Sequence, residues 1–370
     1  MAENTPEPEP TSRGWSWRLG SLAGVSIYVH ATFVLLLAWI AMSHLSAGHG
    51  LTMAGQGLLL IASVFGVVVL HELGHALVAR RFGIVTRDIT LYPIGGVARL
   101  ERMPERPGQE LLVAVAGPAV NAVLALMLYL GLRAAGIDRG DPLTLGGSLA
   151  VQLFWINISL ALFNLVPAFP MDGGRILRAV LALRMERARA TGVAARIGRG
   201  LAVVMGLAGL LWSPMLAVVA LFIWMSAGQE AVLEQTKSAL QGVAVADAMV
   251  AEFGTLAPQT TLGMAASRLA TGFQHDFPIV ERGRVLGMLT RSDVLRGLAT
   301  RGPDAPVQEL MHVQFPVARA HEDLAQVLGR LPVDGSAVVV FEDDQVVGLL
   351  DPEHIGELLA VRSAGTRGLA

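Results

Sequence analysis

Three ionisable side chains stand close together in the middle of a long apolar stretch. His71, Glu72 and His75 form an H-E-x-x-H pattern, and this spacing puts both histidines on one face of a helix, where they can bind one zinc ion. The glutamate is then placed to deprotonate a zinc-bound water. Alternatively, the histidines pack among helices and Glu72 pairs with an arginine. Ionisable groups inside a membrane span are costly unless an ion compensates them, which favours the zinc site.

A third protein ligand must come from elsewhere in the chain, because catalytic zinc normally takes three and leaves one position for water. The sequence has no cysteine, so this ligand must be a histidine or a carboxylate. Asp172 is the best candidate, because Pro167 and Pro170 break the helix before it and two glycines after it allow an irregular turn. Such backbone is tolerated at membrane depth where it lines a cavity. Alternatively, Asp172 is a helix-end carboxylate close to Arg175.

The overall composition indicates a membrane protein. Of 370 residues, 53% are hydrophobic and 16% are charged, and the mean hydropathy of +0.55 is too high for an ordinary soluble enzyme. The net charge of −2 provides no basic field, so we exclude nucleic acid as a partner. Long apolar runs end near Met225 and charged residues recur from Glu230, which predicts two domains. The acidic, proline-rich residues 1–20 are predicted to form a disordered tail.

Apolar segments predict a polytopic α-helical membrane domain at residues 21–230, embedded in the lipid bilayer with about six spanning segments. The first four segments each fit one helix. The last is interrupted by Ser213-Pro214 and fits either one long kinked helix or two short ones that form a re-entrant pair. The segments are Ile27–Leu45, Leu58–Val78, Leu111–Leu132, Leu149–Val166 and Gly200–Met225.

Arginines concentrate in two connections, after the second and after the fourth apolar segment. The positive-inside rule places both connections in the cytoplasm, together with the N-terminus. The ends of the second and fourth segments then lie on the same side, which brings His75 and Asp172 to one level. If Gly200–Met225 is a hairpin, the C-terminal domain is cytoplasmic too. The predicted location is the cell membrane, with several spans.

The C-terminal part of the chain contains an internal repeat. Phe277–Val280 followed by Val285–Thr290 resembles Ala337–Val340 followed by Val346–Leu350. Each half has a helix-like start, two β-rich runs around a turn and a closing helix. This pattern predicts a soluble α/β tandem module, with its halves at residues 243–300 and 305–360.

The H-E-L-G-H motif inside one span and N-L-V-P-A-F-P-M-D-G-G at the end of another together resemble the site-2 protease family of intramembrane zinc metalloproteases. The resemblance covers about residues 20–230 and points to the prokaryotic branch that carries a C-terminal CBS-domain pair. It implies His71, His75 and Asp172 as zinc ligands and Glu72 as general base. The implied substrate is a single-span membrane protein that is cleaved within the bilayer.

Other features of the membrane domain also match this family. Asn164 resembles the motif asparagine that orients the substrate or stabilises the oxyanion. Gly95 and Gly96 resemble the family's membrane-associated β-hairpin, whose edge can pair with an unwound substrate by strand addition, although they could instead only form a tight turn. The matches extend to His30 and to A-G-P-A-V-N at residues 116–121.

The C-terminal repeat is similar to a pair of CBS domains, which in related proteins bind adenine nucleotides such as ATP. In the first half, Thr290 and Asp293 match the ribose- and phosphate-contacting positions. The second half has Asp351 and His354 there, and a carboxylate where phosphate should approach argues for one nucleotide site at most. We expect nucleotide binding to gate substrate entry. Alternatively, the pair has lost ligand binding or only forms a homodimer.

A transporter or channel regulated by CBS domains is the second functional class, because intramembrane histidines and glutamates also line ion paths. Such proteins rarely need the H-E-x-x-H spacing. The spans also show no repeated halves of the kind common in transporters. The sequence therefore favours a protease.

Overall fold

The computed structural model describes residues 15–48, 50–101, 104, 106–138, 148–328, 331, 335–343 and 345–358. The chain divides into two units, Met1–Ala231 and Val232–Ala370. Residues 1–14 of the predicted tail and residues 359–360 of the predicted second CBS domain lie outside the described residues, as do residues 139–147 between the third and fourth apolar segments.

Apolar helices make up most of the first unit. Four of the described helices, α2, α3, α6 and α7, are long and apolar enough to cross a membrane, and α1 and α4 are shorter apolar helices. This confirms the predicted polytopic helical domain with about six apolar segments. The helices are α1 (Ala31–Ser46), α2 (Gly50–Arg80), α3 (Pro107–Ala134), α4 (Leu149–Asn164), α5 (Asp172–Ala182), α6 (Arg187–Trp212) and α7 (Pro214–Leu240).

A four-stranded sheet packs against the helices of the first unit. Its order is β1-β2-β3-β4, with β2 and β3 parallel and the other two pairs antiparallel. Residues from β2 and β3 share a hydrophobic core with α1 and α2. The strands are β1 (Ser16–Leu22), β2 (Val25–His30), β3 (Thr86–Tyr92) and β4 (Gly95–Leu100).

The start of the chain differs from the prediction in two ways. The predicted tail at 1–20 is wrong at its end, because β1 begins at Ser16. The first apolar helix begins at Ala31 instead of near residue 27, because the preceding residues form β2. Val25, Ile27 and Val29 are β-branched and alternate along the chain, which suits a strand, and a short apolar run does not distinguish a strand from a helix by hydrophobicity alone.

The interrupted segment at residues 200–225 forms parts of two helices. Ser213 is extended, with φ −158° and ψ 112°, and ends α6. Pro214 is the first residue of α7, a position where its missing N–H leaves no helical hydrogen bond unmade. The segment therefore forms two helices, as one alternative predicted, but the prediction that they are short is wrong, because α6 has 26 residues and α7 has 27. Helix α7 continues to Leu240, in the hydrophobic core of the C-terminal unit.

The C-terminal unit contains two α/β halves, as the repeat predicted. Each half has an antiparallel hairpin, and Arg282 and Gly283 both have positive φ at the first hairpin's turn, which is typical of tight hairpin turns. Residues 352–358 are helical and follow the second hairpin. The elements are α8 (Leu262–Thr271), β5 (Phe277–Glu281), β6 (Arg284–Leu289), α9 (Arg291–Arg301), β7 (Val317–Arg319), α10 (Leu324–Leu328), β8 (Val338–Glu342) and β9 (Gln345–Leu350).

The two halves exchange part of their hydrophobic cores. Val243 and Val245, at the start of the first predicted half, pack with Leu324, Val338 and other residues of the second half. The first half in turn takes Val307 from the start of the second into its own core. The predicted boundaries at 243 and 305 therefore follow the repeat in sequence, whereas the packing interleaves the two halves.

Candidate metal centre

Helix α2 carries His71 and His75 one turn apart, and both are buried. Their Nε2 atoms lie 3.2 Å from each other. The Nδ1 atom of His75 lies 2.7 Å from the carbonyl oxygen of Val113 in α3. Because a carbonyl only accepts, Nδ1 carries the proton and donates, which leaves the Nε2 lone pair free to bind a metal.

Asp172, the first residue of α5, completes a cluster of three possible ligands. Its Oδ2 atom lies 3.2 Å from Nε2 of His71 and 3.2 Å from Nε2 of His75, and among the described residues it has no hydrogen-bond partner. Ligand atoms of a tetrahedral zinc site are about 3.4 Å apart, given Zn–N and Zn–O bonds of about 2.1 Å. The three residues therefore fit zinc. In the part of the chain that the structure describes, they form the one such cluster.

Tight packing of the turn between α4 and α5 places Asp172. This turn contains Pro167 and Pro170, and Ala168 and Phe169 between them are buried. A Cβ added at Gly173, the second residue of α5, would lie 2.3 Å from the carbonyl oxygen of Val166. Only glycine allows the start of α5 to pack directly on this backbone, so the glycine expected to permit an irregular turn also permits a close approach.

Gly117 in α3 also forms part of the centre, although sequence reasoning gave it no role. A Cβ added at Gly117 would lie 2.2 Å from Nε2 of His75 and 2.6 Å from Nε2 of His71. Any larger residue would therefore displace the imidazoles. The available signal was the Gly117-Pro118 pair inside an apolar span, which has no evident reason to contain a glycine unless another group approaches closely.

The hairpin strand β4 comes close to Glu72. Gly95 and Gly96 begin β4 and pair with Tyr92 and Leu91 of β3, and β4 forms one edge of the four-stranded sheet. A Cβ added at Gly96 would lie 3.2 Å from Cγ of Glu72. The structure therefore brings one of the two predicted substrate-binding glycines next to the predicted general base.

The other matched residues of the membrane domain lie outside the ligand cluster. Asn164 is the last residue of α4 and is half-buried. His30 caps α1 through its Nδ1 atom, which accepts a hydrogen bond from the backbone N–H of Thr32. Asn121 is fully buried in α3, and its amide has no hydrogen-bond partner within the described residues.

Thr290 and Asp293 come together in the C-terminal unit, where they cap α9. The Thr290 side chain accepts a hydrogen bond from the backbone N–H of Asp293, and Asp293 Oδ2 accepts one from the backbone N–H of Thr290. Oδ2 also lies 2.9 Å from Nε2 of His312. In the second half, Asp351 Oδ1 accepts from the backbone N–H of Glu353. The Asp293 carboxylate is therefore already engaged by the α9 cap and by His312.

The chain is similar to known zinc metalloproteases over most of its length. Zinc metalloprotease MJ0392 of Methanocaldococcus jannaschii is 30% identical over 353 residues, which cover 94% of this chain and 97% of that protein. Rip3 of Mycobacterium tuberculosis is 32% identical over 371 residues, which cover 93% and 92%. The solved site-2 protease from M. jannaschii is 38% identical over 59% of this chain and 95% of its own, with a TM-score of 0.43.

Two family models match separate parts of the chain. Peptidase family M50 matches residues 59–138 and 145–207, which include His71, His75 and Asp172, and the CBS domain matches residues 245–300. Together with the nearly full-length relatives, these matches confirm the predicted family and enzyme class. They decide against a transporter. The chain belongs to peptidase family M50, the site-2 protease family of zinc metalloproteases, and carries a CBS domain after its membrane helices.

Proposed function

We propose that this zinc metalloprotease is an intramembrane endopeptidase that cleaves transmembrane segments of single-span membrane proteins. The observation that carries the proposal is the convergence of His71, His75 and Asp172 Oδ2 at mutual distances of 3.2 Å. Two of these residues, with Glu72, lie in a helix long and apolar enough to span a membrane. A hydrolytic site in such a helix suits a peptide bond that is itself within the bilayer.

Each residue of the centre has a distinct role in this proposal. His71, His75 and Asp172 hold zinc, which when bound supplies a Lewis acid that lowers the pKa of water and polarises a carbonyl. Glu72 takes a proton from the attacking water while the water oxygen bonds to the peptide carbonyl carbon. The C–N bond then breaks, and Glu72 returns the proton to the leaving nitrogen. The Asn164 amide is assigned the role of donating a hydrogen bond to the oxyanion or orienting the substrate.

The edge of β4 is the proposed docking site for the unwound substrate. In a transmembrane helix every peptide bond is enclosed by helical hydrogen bonds, so the segment must become extended before water can attack it. An edge strand offers free backbone N–H and C=O groups to such a segment. Gly95 and Gly96 are the proposed substrate-binding residues because Gly96 lies against Glu72, so a strand added there would pass close to the general base.

The proposed location is the cell membrane, with the metal nearer the cytoplasmic face. His71 precedes Arg80, the last residue of α2, by about 14 Å along the helix. Arginines follow α2 and recur through α5 and the start of α6, which supports a cytoplasmic position for both regions under the positive-inside rule. Helices α6 and α7 are separate helices joined at Ser213. If both cross the membrane, the chain returns to the cytoplasmic side after α7, which supports a cytoplasmic C-terminal unit.

We further propose that the first CBS half binds one adenine nucleotide through Thr290 and Asp293 and that binding gates access of the substrate. The proposed gating is supported by the course of helix α7, which ends at Leu240 in the core of the C-terminal unit. Homodimerisation through the CBS pair is the alternative role of this unit.

Reconstitution into liposomes with a single-span model substrate tests the proposed protease. We expect Glu72→Gln to retain one zinc per chain but to stop cleavage, because the ligands remain and the general base is lost. Glu101→Gln, at an exposed glutamate after β4, is the matched control and should cleave normally. Asp172→Ala should lose metal. Full zinc and activity in Asp172→Ala would show that the third ligand is a different residue.

A further inference from the structure

Four charged side chains form a cluster at the junction of α3, α5, α6 and α7, and the chemistry proposed above does not use them. Arg178 of α5 and Glu110 of α3 are only 1% and 2% exposed. Nε and Nη2 of Arg178 lie 2.7 and 2.5 Å from Oε1 of Glu110, and Nη1 contacts Oε1 of Glu230 in α7. Nη1 of Arg187, the first residue of α6, lies 2.9 Å from Oε2 of Glu110. We call these four residues the arginine clamp.

The clamp is charged and geometrically constrained. Burial disfavours the charge on Arg178, but Glu110 and Glu230 outweigh burial and raise its pKa. A planar guanidinium that contacts two carboxylates has little freedom to rotate, and a buried pair tolerates poor geometry badly. The guanidinium also lies 5.1 Å from the ring centroid of Phe169. The position of Arg178 is therefore fixed from three sides.

Arg178 belongs to the same short helix as the third metal ligand. Helix α5 has 11 residues and begins with Asp172, so any shift or rotation of α5 moves the carboxylate. Phe169, which contacts Arg178, lies in the turn just before Asp172. Arg178 thus holds both α5 and the turn that leads into it.

Helix α3 connects the clamp to the histidines. Glu110 of α3 binds Arg178, and Val113, about one turn further, accepts the hydrogen bond from Nδ1 of His75. Gly117, about one turn beyond that, lies against the Nε2 atoms of both histidines. These three residues follow one side of α3 at helical spacing. One helix therefore sets the distance between the histidines of α2 and the carboxylate of α5.

We propose that Arg178 is a positioning residue, which holds α5 against α3 and α7 through Glu110 and Glu230 and so keeps Asp172 Oδ2 at ligand distance from His71 and His75. The inference rests on the zinc ligation proposed above. Groups that orient metal ligands indirectly commonly change metal affinity when they are removed, even though they never touch the metal.

Metal binding by the full-length protein in detergent tests this role. The variants are Arg178→Met, Arg178→Lys and Glu230→Gln, and Arg189→Met changes an exposed arginine of α6 as the matched control. Zinc affinity is measured by chelator competition below the melting temperature of every variant, and cobalt-substituted protein reports four-coordinate geometry by its visible absorption. We expect Arg178→Met to weaken zinc binding roughly 10–100-fold and to reduce the cobalt bands. Arg178→Lys should lose less zinc affinity than Arg178→Met, and Arg189→Met should bind zinc as the wild type does.

The outcomes separate positioning from a purely structural role. If the Arg178 variants melt at lower temperature but bind zinc and cobalt as the wild type does, the clamp only stabilises the fold and the proposal is wrong. Arg178→Lys and Glu230→Gln decide the question if Arg178→Met does not fold. His71→Ala is measured alongside them. Zinc retained in His71→Ala overturns the ligand set itself, whereas zinc lost there but kept in every Arg178 variant overturns positioning alone.

Discussion

At the scale of single residues, the metal centre depends on a missing side chain as well as on its ligands. Gly117 leaves room for two imidazoles whose Nε2 atoms would be 2.2 and 2.6 Å from an added Cβ. That separation is far below van der Waals contact, and well-packed interiors accommodate an extra carbon only by moving side chains or backbone. His75 also forms a hydrogen bond to Val113 of α3, the helix that contains Gly117. Its ring therefore cannot move without losing that hydrogen bond.

Gly117→Ala should therefore weaken zinc binding by roughly 10–100-fold. Gly131→Ala is the matched control, because Gly131 lies in the same helix and an added Cβ there meets nothing within 4 Å. That control should bind zinc normally and gain up to about 1 kcal/mol of stability from the better helix former. Zinc retained per chain after dialysis against a chelator measures both. Equal retention in the two variants would contradict the close packing of α3 on the histidines.

At the scale of elements, the spacing between β4 and α2 positions the proposed general base next to the proposed substrate strand. An added Cβ at Gly96 would lie 2.9 Å from Cγ1 of Val68 and 3.2 Å from Cγ of Glu72. A methyl group there must push the strand from the helix or move the Glu72 side chain. Neither change touches the two histidines or Asp172.

Gly96→Ala is thus expected to lower the rate of cleavage while zinc content stays at the wild-type level. A displacement of about 1 Å near a reacting group can reduce the rate by about 100-fold. Gly66→Ala, in α2 where an added Cβ meets nothing within 4 Å, should leave the rate unchanged. Cleavage of a reconstituted single-span substrate and zinc analysis of the same preparation measure the two quantities. Unchanged cleavage in Gly96→Ala would remove β4 from the proposed substrate path.

How far the sequence predicts these features depends on whether they are local. The position of His71 and His75 on one face follows from their spacing within one helix. Asp172 could be predicted because it belongs to the N-L-V-P-A-F-P-M-D-G-G motif, whose prolines end the fourth apolar segment. The roles of Gly117 and Arg178 could not be found, since they depend on which helices become neighbours. Residues 27–30 of β2 fall within the predicted first span, because a short apolar run fits both a strand and a helix until its pairing with β1 and β3 is known.

At the scale of the whole molecule, the two units carry different parts of the proposed function. The relatives MJ0392 and Rip3 are matched over more than nine tenths of their length, so this combination of units is not peculiar to this chain. In the C-terminal unit, both hairpins are followed by helices, but the caps differ. The first has Thr290 with Asp293, and the second has Asp351 alone accepting from Glu353.

This difference leads to a prediction about nucleotide binding by the full-length protein. Isothermal titration with ATP should show about one site per chain, since a carboxylate at residue 351 repels phosphate. Thr290→Val should weaken ATP binding about tenfold or more, because it removes the proposed hydrogen bond from the Thr290 hydroxyl to the charged nucleotide. It also removes the N-cap of α9, which costs about 1 kcal/mol, so the melting temperature is measured as well.

Thr290→Ser separates these two effects. Serine keeps both the hydroxyl and the cap, so this variant should bind ATP and melt as the wild type does. Asp351→Asn removes the carboxylate of the second half, which is far along the chain from Thr290, and should leave the affinity of the first site unchanged. ATP binding that survives in Thr290→Val, or that disappears only in Asp351→Asn, would place the nucleotide outside the first half. Absence of heat with every nucleotide tested would leave homodimerisation as the role of the C-terminal unit, and sedimentation of the same samples would then measure it.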